Sequence, residues 1–239
     1  MTIWEDCKGI EQITAISEKP WRVVEAQHIS SSRDLVDDIE EHELLEQLLE
    51  DTKPDIDKQY NYLIFTPFRY PPLEYGSRFG QKHEKSLWYG SLDLPTAMAE
   101  VAYYRLKFFA DTQADLGYIE LPLTAFSVLL QTKKGIDLTT LPFNRFSDSI
   151  SHKNSYLDSQ TLGSDMRNAE IEAFIFFSAR TSEMKKNIAA FTPNVFCKTN
   201  SGYINEQQNW RCHASKEAVE FSRQNLFCNE KMVFQKVDF

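Results

Sequence analysis

The residues of this chain best suited to chemistry lie within residues 68–105, on a pattern of strand, turn and helix. The segment RYPPLEYGSRFG contains Arg69 and Arg78, and the segment WYGSLDLPTAMAEVAYYR contains Tyr89 and Glu100. Guanidinium groups pair bidentately with phosphate oxygens, so two arginines suit the diphosphate of a dinucleotide. An aromatic ring can stack on a base, and a carboxylate can stabilise positive charge that develops on a sugar. These are the parts needed to bind a dinucleotide and to break a glycosidic bond.

Glu100 is the strongest single candidate, because it lies among small apolar residues where an acid is unexpected. Cleavage of a nicotinamide–ribose bond passes through an oxocarbenium-like transition state, and the leaving group is already cationic and needs no proton. One carboxylate could therefore hold the ribose hydroxyls, stabilise the charge on the sugar and orient the nucleophile.

The other candidates also have structural explanations. An arginine in a loop is commonly a solvated surface charge. Tyr89 follows Trp88 and suits ordinary core packing, and a serine that ends a strand, such as Ser178, is commonly a turn or cap residue. The residues alone leave these alternatives open.

The elements that would position the candidates follow from local signals. Asp93, followed by Leu-Pro, is a cap and first-turn pattern and predicts a helix through Phe108, with Glu100 about two turns from its start. The apolar run Ala173–Phe177 predicts a buried strand that ends at Ser178, where a side chain is well placed for a site.

The remaining segments are expected to complete a mixed sheet. Residues 60–65 alternate aromatic and aliphatic side chains and predict a strand, which places Arg69 at a strand end before a loop rich in proline and glycine. Residues 118–130 predict an edge strand or two short strands, since Pro122 interrupts the pattern. The other expectations are an exposed loop over 144–160, a short helix over 158–172, a strand over 187–191 and further strands over 203–239.

An acidic amphipathic helix is predicted from Ser32 to Glu50, with Ser31 or Ser32 available as its cap and Pro54 beyond its end. It suits either packing on the protein's own core or binding of a partner. We therefore expect a helical N-terminal extension over residues 1–59 and one compact catalytic unit over residues 60–239.

Composition narrows the function classes. The net charge of −9 would repel nucleic acid and anionic membranes, although a local basic pocket is compatible with it. Apolar runs fall short of the roughly 20 residues that span a bilayer, and the N-terminus lacks an export pattern, so a cytoplasmic location is expected. The cysteines and histidines show no metal-ligand spacing, so we expect no metal site and buried or half-buried thiols. Phosphate-loop and Rossmann motifs do not occur.

Several motifs, in this order, resemble those of the RES-domain toxins. They are Arg69 followed by Tyr70, the GSRFG turn with Arg78, the block with Tyr89 and Glu100, and FIFFSAR with Ser178 followed by NIAAF. The resemblance covers about residues 60–196, and the block around Tyr89 and Glu100 is its most specific part.

This resemblance implies an ADP-ribosyltransferase-like α+β fold, a mixed sheet core with flanking helices. It further implies NAD as substrate rather than a bound cofactor, and an Xre-type helix-turn-helix antitoxin as partner, with a homodimer or a hetero-oligomer with antitoxin as assemblies. By the same resemblance, catalysis falls to Arg69, Tyr89, Glu100 and Ser178, and substrate binding to Arg78 and Tyr70.

Three functions are carried forward from these observations. The first is a bacterial toxin that consumes NAD by hydrolysis or phosphorolysis and arrests growth. The second is a mono-ADP-ribosyltransferase that modifies a specific protein. The third is a catalytically silent module that binds a nucleotide or partner through the same basic pocket and the acidic helix.

Overall fold

The structure, a computed structural model, describes residues 2–26, 35–51, 60–69, 74–181, 183–200, 202–225 and 229–239. The helices in these ranges are α1 Ile3–Asp6, α2 Ile39–Asp51, α3 Tyr62–Arg69, α4 Leu94–Asp111, α5 Ser147–Ile150 and α6 Leu157–Asn168. The strands are β1 Thr14–Glu18, β2 Trp21–Glu25, β3 Trp88–Ser91, β4 Tyr118–Asp137, β5 Ala173–Phe177, β6 Lys186–Ala190, β7 Phe196–Cys197, β8 Ile204–Ser215, β9 Ala218–Arg223 and β10 Lys231–Gln235. The predicted α+β class, a mixed sheet with flanking helices, is confirmed.

One sheet contains all of these strands, in the order β10-β9-β8-β4-β2-β3-β6-β5, with β1 and β7 also paired to β4. Most pairs are antiparallel, and β4 runs parallel to β5 where Gly135–Asp137 meet Ala173–Ile175. The 20-residue β4 is therefore the centre of the fold. The predicted edge strand over 118–130 is wrong. Pro122 is opposite Arg211 of β8, but its carbonyl accepts from the Ala26 N–H (2.9 Å), so its nitrogen also faces the β2 side of β4. Because the β2–β4 ladder covers only β4 residues 123–127, no hydrogen bond of that ladder needs an N–H at Pro122.

Side chains alternate between the two faces of β3 and thereby separate two parts of the core. Tyr89 packs with a buried cluster that includes Phe79 and Phe176. Trp88 packs with the other buried cluster, to which α3 contributes Ile64. Helix α4 lies over a third cluster, with Met98, Ala102, Leu106 and Phe109 against Trp210 and Phe221.

Residues 60–65 do not form the predicted strand, because the chain instead enters α3 at Tyr62. The side chain of Asn61 accepts a hydrogen bond from the Leu63 N–H (2.9 Å), which satisfies an N–H group at the helix start. Ile64 and Phe68, four residues apart, lie on the same side of the helix and pack in the same cluster. The spacing of the apolar residues is thus compatible with a helix as well as with a strand.

The N-terminal region departs from the predicted helical extension over residues 14–25, which form β1 and β2 within the main sheet. Helix α2 agrees with the acidic helix, although it begins at Ile39, where Asp38 Oδ1 accepts from the Glu41 N–H (2.8 Å). The predicted caps Ser31 and Ser32 lie outside the described residues. The boundary at residue 60 stays a prediction.

Residues 144–160 do not form the predicted loop, since they contain α5 and the start of α6. Ser151 Oγ donates to the Phe177 carbonyl (2.7 Å), so this polar segment is fixed to the end of β5. The predicted helix over 158–172 corresponds to α6, and the predicted strands at 173–177 and 187–191 correspond to β5 and β6.

Two further expectations concern thiols and membranes. Cys7 and Cys212 are buried and Cys197 is half-buried, as predicted, while Cys228 lies outside the described residues. Burial raises the pKa of the Cys212 thiol to about 11, so it stays protonated at neutral pH. None of the helices in the described ranges is long and apolar enough to cross a lipid bilayer.

Candidate active site

Glu100 lies in the second turn of α4, as the sequence predicted. The helix begins at Asp93, whose Oδ1 accepts a hydrogen bond from the Thr96 N–H (2.8 Å), and Pro95 occupies its first turn. Ala97, Met98, Ala99 and Ala102 are buried and hold the helix against the sheet. Glu100 is half-buried, so its carboxylate is supported by the protein and still accessible.

Two hydrogen bonds converge on a single carboxylate oxygen of Glu100. The Ser178 hydroxyl donates to Oε1 over 2.7 Å, and the Asn187 side-chain amide donates to the same atom over 2.7 Å. Ser178 is buried at the end of β5, where its Oγ also accepts from the Arg180 backbone N–H (3.1 Å). In the described part of the chain no hydrogen bond reaches Oε2. This second oxygen is therefore available to accept a hydrogen bond from a ligand.

Tyr89 lies on the same face of β3 as Ser91, about 7 Å away along the strand. Its hydroxyl oxygen accepts from the Phe79 N–H (3.2 Å) and shares a hydrogen bond with Ser77 (2.9 Å). Its ring packs edge-on against Phe176. Burial raises the pKa of Tyr89, against the smaller lowering effect of these hydrogen bonds, so the phenol stays protonated. Tyr89 thus fixes the turn that carries Arg78.

Arg78 is half-buried, and its guanidinium group contacts the segment that joins α5 to α6. Nη1 donates to the His152 carbonyl (2.8 Å), and the guanidinium carbon lies 4.7 Å from the centre of the Tyr156 ring. Its positive charge lowers the pKa of nearby Tyr89, although burial outweighs this effect. The GSRFG turn and the Glu100 carboxylate are therefore anchored to the same face of β3, by Tyr89 and by Ser91 through Asn187.

Arg180 is a buried cation that the sequence analysis missed. Its side chain is 3% exposed, and its guanidinium carbon lies 3.5 Å from the centre of the Tyr103 ring. Its Nη1 donates to the Lys153 carbonyl (3.1 Å), and its Nη2 donates to the Tyr156 hydroxyl (3.4 Å). Tyr156 therefore contacts the guanidinium groups of both Arg180 and Arg78. Within the described ranges neither arginine forms an ion pair, so no carboxylate contacts either guanidinium group directly.

Tyr104 lies near both the carboxylate and this cation. Burial of its hydroxyl, a hydrogen bond with Tyr156 and the negative charge of Glu100 raise the pKa of Tyr104, against the opposing effect of Arg180. The phenol is therefore protonated at neutral pH and can donate or accept a hydrogen bond. The residue as a whole is 54% exposed, so a ligand beside Glu100 could reach it.

The structure joins two of the predicted residues directly, Glu100 and Ser178, and ties Tyr89 to the turn of Arg78. Arg69 is buried at the end of α3, which packs with Trp88 on the face of β3 opposite Tyr89. In the described ranges, Arg69 is not among the side chains that hydrogen-bond Glu100. Tyr70 lies outside the described residues. The roles assigned to these residues stay predictions.

Sequence reasoning also missed Asn187, Ser91 and the three tyrosines beside Arg180, which are Tyr103, Tyr104 and Tyr156. The signal that could have revealed Asn187 is its place at the start of a buried strand, where a polar amide is unexpected and needs a partner. Tyr156 lay in the segment taken for an exposed loop. The FSAR motif put Arg180 two residues from Ser178, which was the one local clue to it.

A separate groove of about 550 Å³ lies between β1 and the segment that follows β4. Its lining includes Gln12, Thr14, Glu18, Asp137 and Phe143. Two carboxylates in this lining oppose a phosphate-bearing ligand, since like charges repel. The guanidinium groups of Arg78 and Arg180, which meet at Tyr156, suit phosphate better than this groove does.

Comparison with known proteins identifies the family of the chain. The family model described as RES domain matches residues 54–215, which is more than half of the chain. No curated protein matches. A solved structure, the M. tuberculosis MbcT-MbcA toxin-antitoxin complex, is similar with a TM-score of 0.49 and 10% sequence identity, over 83% of this chain and 89% of that one. The fold and site define an α+β protein with one half-buried carboxylate, held by a serine hydroxyl and an asparagine amide. The chain belongs to the RES-domain family.

Proposed function

We propose that this protein is the toxin of a toxin-antitoxin pair and that it cleaves the nicotinamide–ribose bond of NAD. The observation that carries the proposal is the Glu100 carboxylate, with Oε1 held by Ser178 and Asn187 and Oε2 open to a ligand. A carboxylate fixed in this way loses little orientational freedom when a substrate binds. It is therefore suited to stabilise positive charge that develops in a transition state.

The chemistry needs no general acid at the leaving group. When the bond between ribose C1′ and the pyridinium nitrogen breaks, the electron pair moves to that nitrogen and nicotinamide leaves as a neutral molecule. The ribose takes on oxocarbenium character, which the Glu100 charge stabilises while Oε2 accepts a hydrogen bond from a ribose hydroxyl. A water or phosphate oxygen then bonds to C1′, and a proton of attacking water passes to solvent or to the carboxylate.

Substrate binding is assigned to the cations near this carboxylate. Arg78 has one nitrogen on the His152 carbonyl, and its remaining N–H groups suit phosphate oxygens. Two cationic groups around Tyr156 without an ion-pair partner favour a dianionic ligand. On the resemblance to the RES family alone, we also assign Arg69 and Tyr70 to this substrate.

The partner is proposed to be an Xre-type helix-turn-helix antitoxin that binds the toxin and blocks this site. The net charge of −9 supports a basic protein as partner and opposes direct contact with nucleic acid or a membrane. Because its substrate is NAD, the toxin would act in the cytoplasm.

Product analysis with purified protein tests the proposal. The protein is incubated with NAD, with and without inorganic phosphate, and nicotinamide and the ADP-ribosyl product are separated by chromatography. Stoichiometric release of nicotinamide is the expected result, and dependence on phosphate distinguishes phosphorolysis from hydrolysis. Label from NAD that accumulates on a protein would instead identify an ADP-ribosyltransferase. Intact NAD and unimpaired growth after induction without antitoxin would reject the enzymatic proposal.

A further inference from the structure

Asn187 and Ser91 form a buried polar pair that no predicted role explains. They face each other across β3 and β6, where Ser91 is the register partner of Asn187. Their exposed fractions are 2% for Ser91 and 5% for Asn187. A buried amide is costly unless it is hydrogen-bonded, and asparagine is disfavoured in strands. Because the neighbouring positions on this face are filled by Tyr89 and Ala189, an apolar side chain would fit the local pattern better.

The chemistry of the three groups determines which atom donates in each hydrogen bond. An ionised carboxylate only accepts, so the Asn187 atom 2.7 Å from Glu100 Oε1 must be the donor Nδ2. This orientation directs Oδ1 of the amide toward Ser91, whose Oγ lies 2.7 Å away. Oδ1 only accepts, so the Ser91 hydroxyl must donate. Ser91 therefore donates to Asn187 and Asn187 donates to Glu100, which is the final acceptor, and no other arrangement is consistent.

Glu100 Oε1 consequently receives two neutral donors, and each donor is itself oriented by another group. The Ser178 hydroxyl is oriented by the Arg180 backbone N–H, and the Asn187 amide by Ser91. Hydrogen bonds to a carboxylate are charge-assisted and stronger than those between neutral groups. Two of them on one oxygen from two different strands, β5 and β6, fix both the position and the rotation of the carboxylate plane. The direction of Oε2 is then determined by the sheet.

We propose that Asn187, oriented by Ser91, is a positioning residue for Glu100 in the proposed cleavage of NAD. It acts through Glu100 and contacts neither the substrate nor the reacting atoms. The inference rests on the proposed function, because positioning has meaning only if Glu100 stabilises the transition state. Asn187 supports the Glu100 carboxylate from β6, and Ser178 supports it from the end of the neighbouring strand β5.

The test compares four substitutions at this pair in the full-length protein, with nicotinamide release as the assay. Asn187→Leu removes the donor and is expected to lower kcat about a hundredfold, the cost typical of misplacing a reacting group by about 1 Å. KM for NAD is expected to change little, because the binding cations are untouched. Ser91→Ala should give a smaller loss of kcat, and Ser91→Thr, which retains the hydroxyl, should restore activity.

Asn187→Asp distinguishes positioning from a merely structural role. Aspartate has the shape of asparagine and still accepts from Ser91, but two carboxyl groups at this distance either repel each other or share one proton. Positioning predicts that Asn187→Asp is at least as damaging to kcat as Asn187→Leu, because repulsion displaces the Glu100 carboxylate and a shared proton removes part of its negative charge. A structural role predicts the reverse order. Ser127→Ala, an equally buried serine on β4, is the control and should retain activity.

The outcomes separate this inference from the proposed function. Thermal unfolding of each variant shows whether it is folded, and Ser91→Ala serves if a substitution at Asn187 prevents folding. If the wild type and Ser127→Ala release nicotinamide, Glu100→Gln does not, and the folded Asn187 and Ser91 variants keep wild-type kcat, the positioning role is overturned while the function stands. A wild type that leaves NAD intact overturns both.

Discussion

Replacing Glu100 by glutamine removes the negative charge and retains the shape of the side chain. The structure predicts how the amide would be seated, since both hydrogen-bond donors point at one atom. Glutamine Oε1 can accept from Ser178 and Asn187 at the present 2.7 Å distances, which leaves Nε2 in the place of Oε2. An N–H donor then stands where a carboxylate oxygen would accept from the ribose and oppose its positive charge.

The substitution is expected to lower both kcat and the free energy of unfolding, by different amounts. Removal of a single well-oriented electrostatic contact commonly costs up to about 10³-fold in kcat, which is about 4 kcal/mol of transition-state stabilisation. The free energy of unfolding should change far less. Each hydrogen bond to a charged acceptor is worth about 1 kcal/mol more than one to a neutral acceptor, and release of a half-buried charge offsets part of that. A change in unfolding free energy below about 2 kcal/mol is expected.

The assay is nicotinamide release under saturating NAD, with thermal unfolding measured on the same preparations. Glu220→Gln is the matched control, because Glu220 lies on β9 and pairs with Lys231 at the surface (2.9 Å). It should keep wild-type kcat. If folded Glu100→Gln retains more than a tenth of the wild-type kcat, the carboxylate does not drive the reaction and the reasoning is refuted.

Three further changes test the supports of the site. Ser178→Ala removes the other donor to Glu100 and should lower kcat about tenfold or more, with KM little changed, in the nicotinamide assay. Tyr89→Phe removes the hydrogen bonds that hold the turn of Arg78 and should raise KM for NAD and destabilise the fold by about 1–2 kcal/mol in chemical denaturation. Gly163→Ala should sharply lower the unfolding midpoint, because an added Cβ would lie 2.1 Å from the Phe79 carbonyl oxygen. Unchanged values in these measurements would contradict the corresponding contacts.

Local signals in the sequence were sufficient to predict the position of a residue where that position depends on a single helix or strand. The Asp93 cap followed by Pro95 predicted the start of α4 and hence the position of Glu100, because capping depends on neighbours within one turn. The buried run at residues 173–177 likewise predicted β5 and the place of Ser178 at its end. Glu100 and Ser178, whose positions these two predictions gave, form a hydrogen bond at the centre of the candidate site.

Non-local features could not be predicted in this way. Residues 60–65 carried apolar side chains compatible with either period, and packing against Trp88 selected the helix. The central position of β4 depends on pairing with β2 and β8, which no pattern within residues 118–130 records. Asn187 and Arg180 become recognisable only when the fold brings them to Glu100 and Tyr156, because their types and local spacing match many structural roles.

The most direct test of the central claim is a crystal structure of Glu100→Gln with NAD bound, since this variant should bind substrate without consuming it. We predict a ribose hydroxyl on the nicotinamide side within about 3.2 Å of the residue 100 amide, with the diphosphate toward Arg78. NAD bound in the groove between β1 and the segment after β4, or no NAD beside residue 100 at saturating concentration, would contradict the account.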